Sequence, residues 1–248
     1  MGVRLPALAS GQGVTLALLG GFELRWNGQV MPLMRGAQRL LAFLALHERP
    51  LPRAYVAGTL WIDACETRAA GNLRSALWRL HSPRLRLVNQ RGDHLQLSSD
   101  IVVDVREAGR LAGGLMSGES LDDRSLDIRV LEGELLPGWY DEWILVERER
   151  HRQLSLHALE LLAERLVSEG RFGLAVHAVL AAIRSEPLRE SAHRALLKIH
   201  IAEGNASEAI RHYEHYRRLL RQELDLATSE HIDELIRNLR HGGRATAG

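Results

Sequence analysis

The sequence predicts a mainly α fold: an N-terminal winged helix-turn-helix of α+β type, followed by an all-α, tetratricopeptide-like helical repeat domain. Three observations carry this reading. Strand-like runs and helical periods alternate through the first hundred residues and end on hairpin chemistry at Asn89–Asp93. Helical periodicity then fills the chain with only short breaks. Within that second part, landmarks recur 34 residues apart: Glu169-Gly170 as Glu203-Gly204, Ala175 as Ala209, Leu162 as Leu196.

At 248 residues the chain is long enough for two separate cores. Its 46% hydrophobic and 25% charged content is that of an ordinary globular protein. A single cysteine, Cys65, excludes an intrachain disulfide and a cysteine-based zinc cluster, which fits a reducing, cytoplasmic setting. The longest apolar run, residues 40–46, is far short of the roughly 20 needed to span a bilayer, so no membrane is expected as a partner. The start reads as a flexible leader rather than a secretory signal. Pro6 stands where N-myristoylation wants Ser or Thr.

The net charge of +1 hides an asymmetry. Residues 1–100 carry twelve arginines against six acids, whereas residues 101–248 carry twenty basic residues against twenty-five acids. A basic first domain suits a polyanion and an acidic second domain repels one, although solvated surface faces also produce such counts.

In order, residues 14–24 and 26–33 read as two strands joined at Asn27-Gly28, a strong turn signal. From Arg35 the apolar residues Ala37, Leu40, Leu41 and Leu44 follow helical spacing, and 48–52, with two prolines, stop that helix. A short helix covers 54–60, 61–67 is a turn, and a third helix covers 68–81. Strands at 85–88 and 94–97 close the wing. Beyond a joint at 103–105, helices are expected at 105–116 and 119–132, a break at 135–143, and a long helix to about 169. The predicted domains are a leader at 1–13, the winged helix at 14–100, the repeat domain at 101–240 and a disordered tail at 241–248.

The helix at 68–81 is the most informative stretch. At about 100° per residue, Ala69, Leu73, Ala76, Leu77 and Leu80 gather on one side. Arg68, Asn72, Ser75 and Arg79 form a stripe away from it, with Gly71 and Trp78 beside the stripe and Arg74 further round. Arginine reads guanine bidentately, asparagine reads adenine, and serine meets bases or phosphate, so this face has the chemistry of major-groove readout. An ordinary amphipathic helix also has a solvated polar face. The context favours DNA: a helix-turn element precedes the helix, a hairpin follows, and no acid occurs from Arg68 to Arg91. Trp61 and Trp78 have the character of packing residues, with Trp78 kept among the interface candidates for its place beside the stripe. Arg91 at the hairpin tip is the candidate for minor groove or phosphate. Arg35 and Arg53, each opening a helix, are candidates for backbone phosphates.

No enzyme is legible. Gly11-Gln-Gly13 and Gly20-Gly21 lack the remainder of a phosphate loop, and no nucleophile elbow exists. His212 and His215 lie one turn apart with Glu208 before them. That spacing could hold a metal, but it reads better as a solvated repeat face, and no cofactor is predicted. Glu147-Arg-Glu-Arg150 reads as a salt-bridge lattice.

These residues resemble the Streptomyces antibiotic regulatory protein family, in which an OmpR-type winged helix joins a bacterial transcriptional activator domain. The likeness covers about residues 16–240. It rests on Leu18-Leu-Gly20, Arg35 with Leu40-Leu41, Leu60-Trp-Ile-Asp63 and 72–80. In the second part it rests on 134–143, 147–150, 186–194 and the Tyr213-Glu-His-Tyr-Arg-Arg218 core. The resemblance implies a sequence-specific activator that binds promoter direct repeats, as a homodimer on DNA, and recruits RNA polymerase through its sigma factor. The regulated genes would be a biosynthetic cluster for a secondary metabolite. It places Asn72, Arg74, Ser75 and Arg79 on the recognition helix and Arg91 on the wing, while the wheel gives Arg74 to phosphate. Gly36 stands where relatives commonly carry a basic residue, and 225–230 lacks the usual proline-containing form, so the last helix is expected to begin differently. The chain reads as a short, stand-alone member without a phosphoacceptor domain. The alternatives are a protein-interaction scaffold and a repressor of the same architecture.

Overall fold

A computed structural model of the chain describes residues 13–119 and 128–245, with side chains through His241. Most of the expected leader, most of the expected helix at 119–132 and the last three residues of the expected tail lie outside the described residues. Gly13 is tied down: its N–H donates to Asn27 Oδ1 (2.9 Å) and its carbonyl accepts from Asn27 N–H (2.9 Å).

The first correction comes from Gly20-Gly21. Both take positive φ, 80° and 140°, and they divide the expected long strand into β1 (Val14–Ala17) and β2 (Glu23–Trp26). Only glycine adopts such φ without penalty, so the apolar run turns back on itself there. Asn27 and Gly28, at φ 48° and 78°, make the type I′ turn their sequence demands and lead into β3 (Gln29–Val30). With β7 (Ile101–Val103) parallel to β1, the sheet order is β3-β2-β1-β7.

Helix α1 (Arg35–Ala45) buries Ala37 and every residue from Leu40 to Ala45. Removing its fully buried Leu40, Leu41 or Leu44 would cost about 2–5 kcal/mol each. Arg106 closes it, donating to the carbonyls of Leu44 (3.2 Å), Ala45 (2.8 Å) and His47 (3.0 Å), which have no partner inside the helix. The residues expected only to stop α1 also make β4 (Leu51–Pro52). It pairs with β6 (His94–Leu97), which pairs with β5 (Val88–Arg91). Between them stand α2 (Arg53–Leu60) and α3 (Glu66–Leu80). Three helices with a terminal hairpin form the winged helix.

Asp104 sits at the end of β7 and opens α4 (Asp104–Ser117). Its buried carboxylate accepts from Leu18 N–H (2.9 Å), Leu19 N–H (2.9 Å) and Val105 N–H (2.7 Å). Burial pushes its pKa up to about 6 against those donors.

The compact units do not follow a border at residue 100. The first gathers the described residues through Arg110 together with Gly133–Arg152. The reason is backbone pairing: Gly20 N–H donates to Glu134 C=O (2.8 Å), Leu136 N–H donates to Leu18 C=O (2.8 Å), and Leu19 bridges Leu135. Gly133 is required for this approach, because a Cβ there would lie 2.7 Å from that of Leu19. Arg148 then cages the turn at Leu136, donating to the carbonyls of Leu135 (2.9 Å), Leu136 (2.6 Å) and Trp139 (2.9 Å). Arg148 belongs to the charge run read as a lattice; Arg150–Glu147 is a lattice pair within it, and Arg152–Glu149 extends it by one turn.

The second unit gathers the described residues of Leu111–Glu132 and those from Gln153 on. It contains α5 (Arg129–Glu132), most of α6 (Glu142–Ser168), α7 (Phe172–Ser185), α8 (Glu190–Ala202), α9 (Ala206–Leu224) and α10 (Glu230–Ala245). The 34-residue repeat is physical. Gly170 and Gly204 both take positive φ, 73° and 83°. The bonds Arg171 N–H to Leu166 C=O and Asn205 N–H to His200 C=O are both 2.8 Å, and those from Ala175 to Arg171 and Ala209 to Asn205 are both 3.1 Å. Two helix ends and the following helix starts are thus built alike, and fully buried Ala175 and Ala209 allow close helix crossing. Around α9, Leu197, Tyr213, Tyr216, Leu220, Ile232 and Ile236 form one core. Helix α10 runs on through 241–245, the described part of the expected tail, and is carried inward by Ile232, Ile236 and Leu239. It begins at Glu230 after Asp225 (φ 56°), with Thr228 bonded to Asp233 (2.6 Å) and Ser229 to Glu190.

Candidate nucleic-acid interface

Helix α3 begins at Glu66, two residues before its expected start, which puts a carboxylate in its first turn and Arg79 in its last, both favourable to the helix dipole. Ala69, Leu73, Ala76, Leu77 and Leu80 are buried as the wheel requires, and α1 and α2 pack on that side. Fixing one face fixes the other. Arg68, Arg74, Ser75 and Arg79 are exposed and Asn72 is half-buried. Ser75 Oγ turns back to Gly71 C=O (3.1 Å), and Arg79 contacts the Met34 thioether. Trp78 departs from its packing character: it is 78% exposed on the same polar side.

The wing is shifted from its expected register. The first strand is β5, not residues 85–88, because Leu85 bridges Ser82 in a tight loop after Pro83 and only Val88 onward pairs with β6. Gly92 at φ 56° makes the turn, so Arg91 is the exposed final residue of β5, opposite His94. The loop carries two residues the sequence reading passed over, Arg84 and Arg86, both exposed. With Trp78, Asn89, Gln90 and Arg91 they line a polar groove of about 1060 Å³ between α3 and the hairpin. The signal was present in the acid-free interval from Arg68 to Arg91, but assigning residues 85–88 to a strand obscured it.

Two other candidates have partners inside the protein. Arg53 donates to Gln90 Oε1 (2.9 Å) and its backbone N–H to Asp93 C=O (2.8 Å), which ties the start of α2 to the hairpin. Arg35 lies over the Trp139 ring, 3.7 Å from guanidinium carbon to centroid, and 3.8 Å from Asp141. Arg39 holds Asp141 more closely, at 2.5 Å. The sequence reading brought Arg35 to the interface; the structure brings it to 139–141 as well. Among the described residues no three His, Cys, Asp or Glu side chains are grouped to hold a metal, and no helix is long and apolar enough to cross a membrane.

Residues 123–240 match the bacterial transcriptional activator domain. The regulatory protein AfsR of Streptomyces coelicolor is 27% identical over 228 residues, covering 80% of this chain and 23% of its own length. The chain therefore spans about a quarter of that relative. The structure of Mycobacterium tuberculosis EmbR, solved in complex with a low affinity phosphopeptide, superposes with a TM-score of 0.66 at 18% identity. That match covers 93% of this chain and 66% of that one, and it is a likeness of fold. A winged helix joined to a bacterial transcriptional activator domain defines a transcription regulator. The activator-domain match and the likeness to AfsR are consistent with the Streptomyces antibiotic regulatory protein family.

Proposed function

We propose that the chain is a sequence-specific, non-enzymatic activator. It binds promoter direct repeats as a homodimer and recruits RNA polymerase through its sigma factor to a biosynthetic gene cluster in the cytoplasm. The observation that carries this reading is the exposed, acid-free side of α3 beside Arg91, with its apolar side fully used in packing. In the assignment Arg68, Asn72, Ser75 and Arg79 address bases, while Arg74, Arg84, Arg86 and Arg91 address phosphates or the minor groove, and Trp78 lies against a sugar or a thymine methyl. Arg53 acts on the backbone through the hairpin it ties down, and Arg35 is the weakest contact because Trp139 covers one face of it.

Footprinting of the gene's upstream region at two salt concentrations tests this reading. Protection of tandem repeats whose affinity falls steeply with salt supports it. Transcription in vitro with purified polymerase separates activation from repression. Protection without repeats, or affinity indifferent to salt, would overturn the assignment.

A further inference from the structure

A second cavity in the first unit, of about 1040 Å³, opens beside the start of α3. Its floor is rich in donors. Arg35 and Arg39 share one carboxylate, Asp141, which leaves that group one positive charge in excess. Two lining side chains carry buried N–H groups with no hydrogen-bond partner: Arg39 Nε and Trp143 Nε1. Both groups are sealed from solvent, so an acceptor that reaches either of them through small shifts of the cavity wall gains about 1–3 kcal/mol. The mouth has the opposite character. Ile62 (70% exposed), Tyr140 (82%) and Val146 (69%) are among the most exposed large apolar side chains, and all three line it.

A donor-rich floor beneath an apolar, aromatic rim fits an amphipathic small molecule. Exposed Asp63 and Glu142 also line the cavity and disfavour a polyanion such as a duplex backbone, so a single acceptor group is the better complement. We propose that this cavity is a ligand site for a small molecule with a flat apolar body and one carboxylate. Arg68 and Asn72 form part of the wall, so its occupant adjusts the α3 surface and acts as an effector of DNA binding. The effector role rests on the function proposed above; the cavity does not.

The test titrates the full chain with 2-naphthoate, following the Trp143 indole N–H resonance, which is assigned by its absence in Trp143→Phe. A saturable shift is expected. Trp143→Phe, followed by tryptophan fluorescence, should bind about tenfold more weakly, and should still unfold cooperatively because Phe keeps an aromatic ring against Phe43. Ile62→Ser, at an exposed rim position, should also weaken binding severalfold. The neutral analogue 2-naphthalenemethanol should bind more weakly than naphthoate. A shift that does not saturate, binding untouched by both variants, or equal binding of the neutral analogue overturns the site. Saturating naphthoate should change affinity for the upstream fragment at least severalfold, and unchanged affinity overturns the effector role. A chain that fails to bind DNA both with and without naphthoate refutes the proposed function and leaves the cavity result standing.

Discussion

Arg35 lies flat over the indole of Trp139, 3.7 Å from guanidinium carbon to ring centroid, with Asp141 beside it at 3.8 Å. A residue whose position at the start of α1 suggests a phosphate contact is thus also held by the 139–141 segment. Arg35→Ala should therefore lower stability by about 0.5–1 kcal/mol, the loss of a partly exposed cation–π contact. It should leave the salt dependence of DNA binding almost unchanged. Chemical denaturation and retardation assays over a salt series measure both, and a clear drop in salt slope would show Arg35 on phosphate instead.

Arg79→Ala should cost about 1–3 kcal/mol in operator binding and relax preference at one base position. Arg84→Ala and Arg86→Ala should weaken all sequences alike, each reducing the salt slope by about one. Neutralising Arg68, Arg79 and Arg91 together separates activator from scaffold: regulation that survives this variant belongs to the scaffold.

Asp104→Asn should destabilise the first unit by about 1–3 kcal/mol, because the new amide turns an NH2 group toward a backbone N–H of Leu18, Leu19 or Val105. Burial raises the pKa of this carboxyl to about 6, so the stability linked to its protonated form is fully present below the ordinary value of 3.8 and is lost as pH rises through 6. Wild type and variant compared by melting across pH 4–8 should differ less as pH rises.

His193 and His212 titrate in the opposite sense. Nδ1 of His193 lies 2.9 Å from Nε2 of His212, and Nε2 of His193 lies 2.8 Å from Pro187 C=O. One directed arrangement satisfies both bonds: His193 donates to Pro187 and His212 donates to His193, with both rings neutral. Burial, then the neighbouring imidazoles, bring His212 down to about 4, and burial lowers His193 too. Folding is then unaffected above pH 6.5 and loses stability as pH falls from 6.5 toward 4, where the unfolded chain binds the extra protons. The full shift of His212 corresponds to about 3 kcal/mol, which its partial solvent exposure reduces to about 1–2 kcal/mol. His212→Gln, which keeps a donor, should lessen the acid-side fall in melting temperature.

Gly170→Ala and Gly204→Ala should each cost about 1 kcal/mol or more, since both positions hold positive φ. Similar losses by denaturant titration would mark the two turns as equivalent; a cost at only one would deny that the repeats are built alike.

Much of the fold was legible because it is locally encoded. The spacing Ala37-Leu40-Leu41-Leu44 located the start of α1 at Arg35, although the helix ends at Ala45, before the expected stop at 48–52, and Asn27-Gly28 specified its turn through positive φ. Where glycine or proline acted against the pattern, the reading slipped. Gly20-Gly21 broke a continuous apolar run, and Pro83 with Leu85 delayed β5 to Val88. For the candidate site, the wheel separated the two sides of α3 and set Trp78 beside the polar stripe, where it is exposed; only its residue type suggested packing. Hydrophobic content says nothing about which direction the neighbouring helices leave open.

What the sequence determined alone is whatever a few adjacent residues decide: helix periods, turn glycines, the 34-residue recurrence and the arginine-rich side of α3. Only the tertiary structure decided that Gly133–Arg152 joins the winged helix, that Asp104 anchors Leu18 and Leu19, and that Trp139 and Asp141 meet Arg35. Those contacts join residues far apart in the chain. Their strength depends on distance and desolvation after folding, and local periodicity carries no record of either.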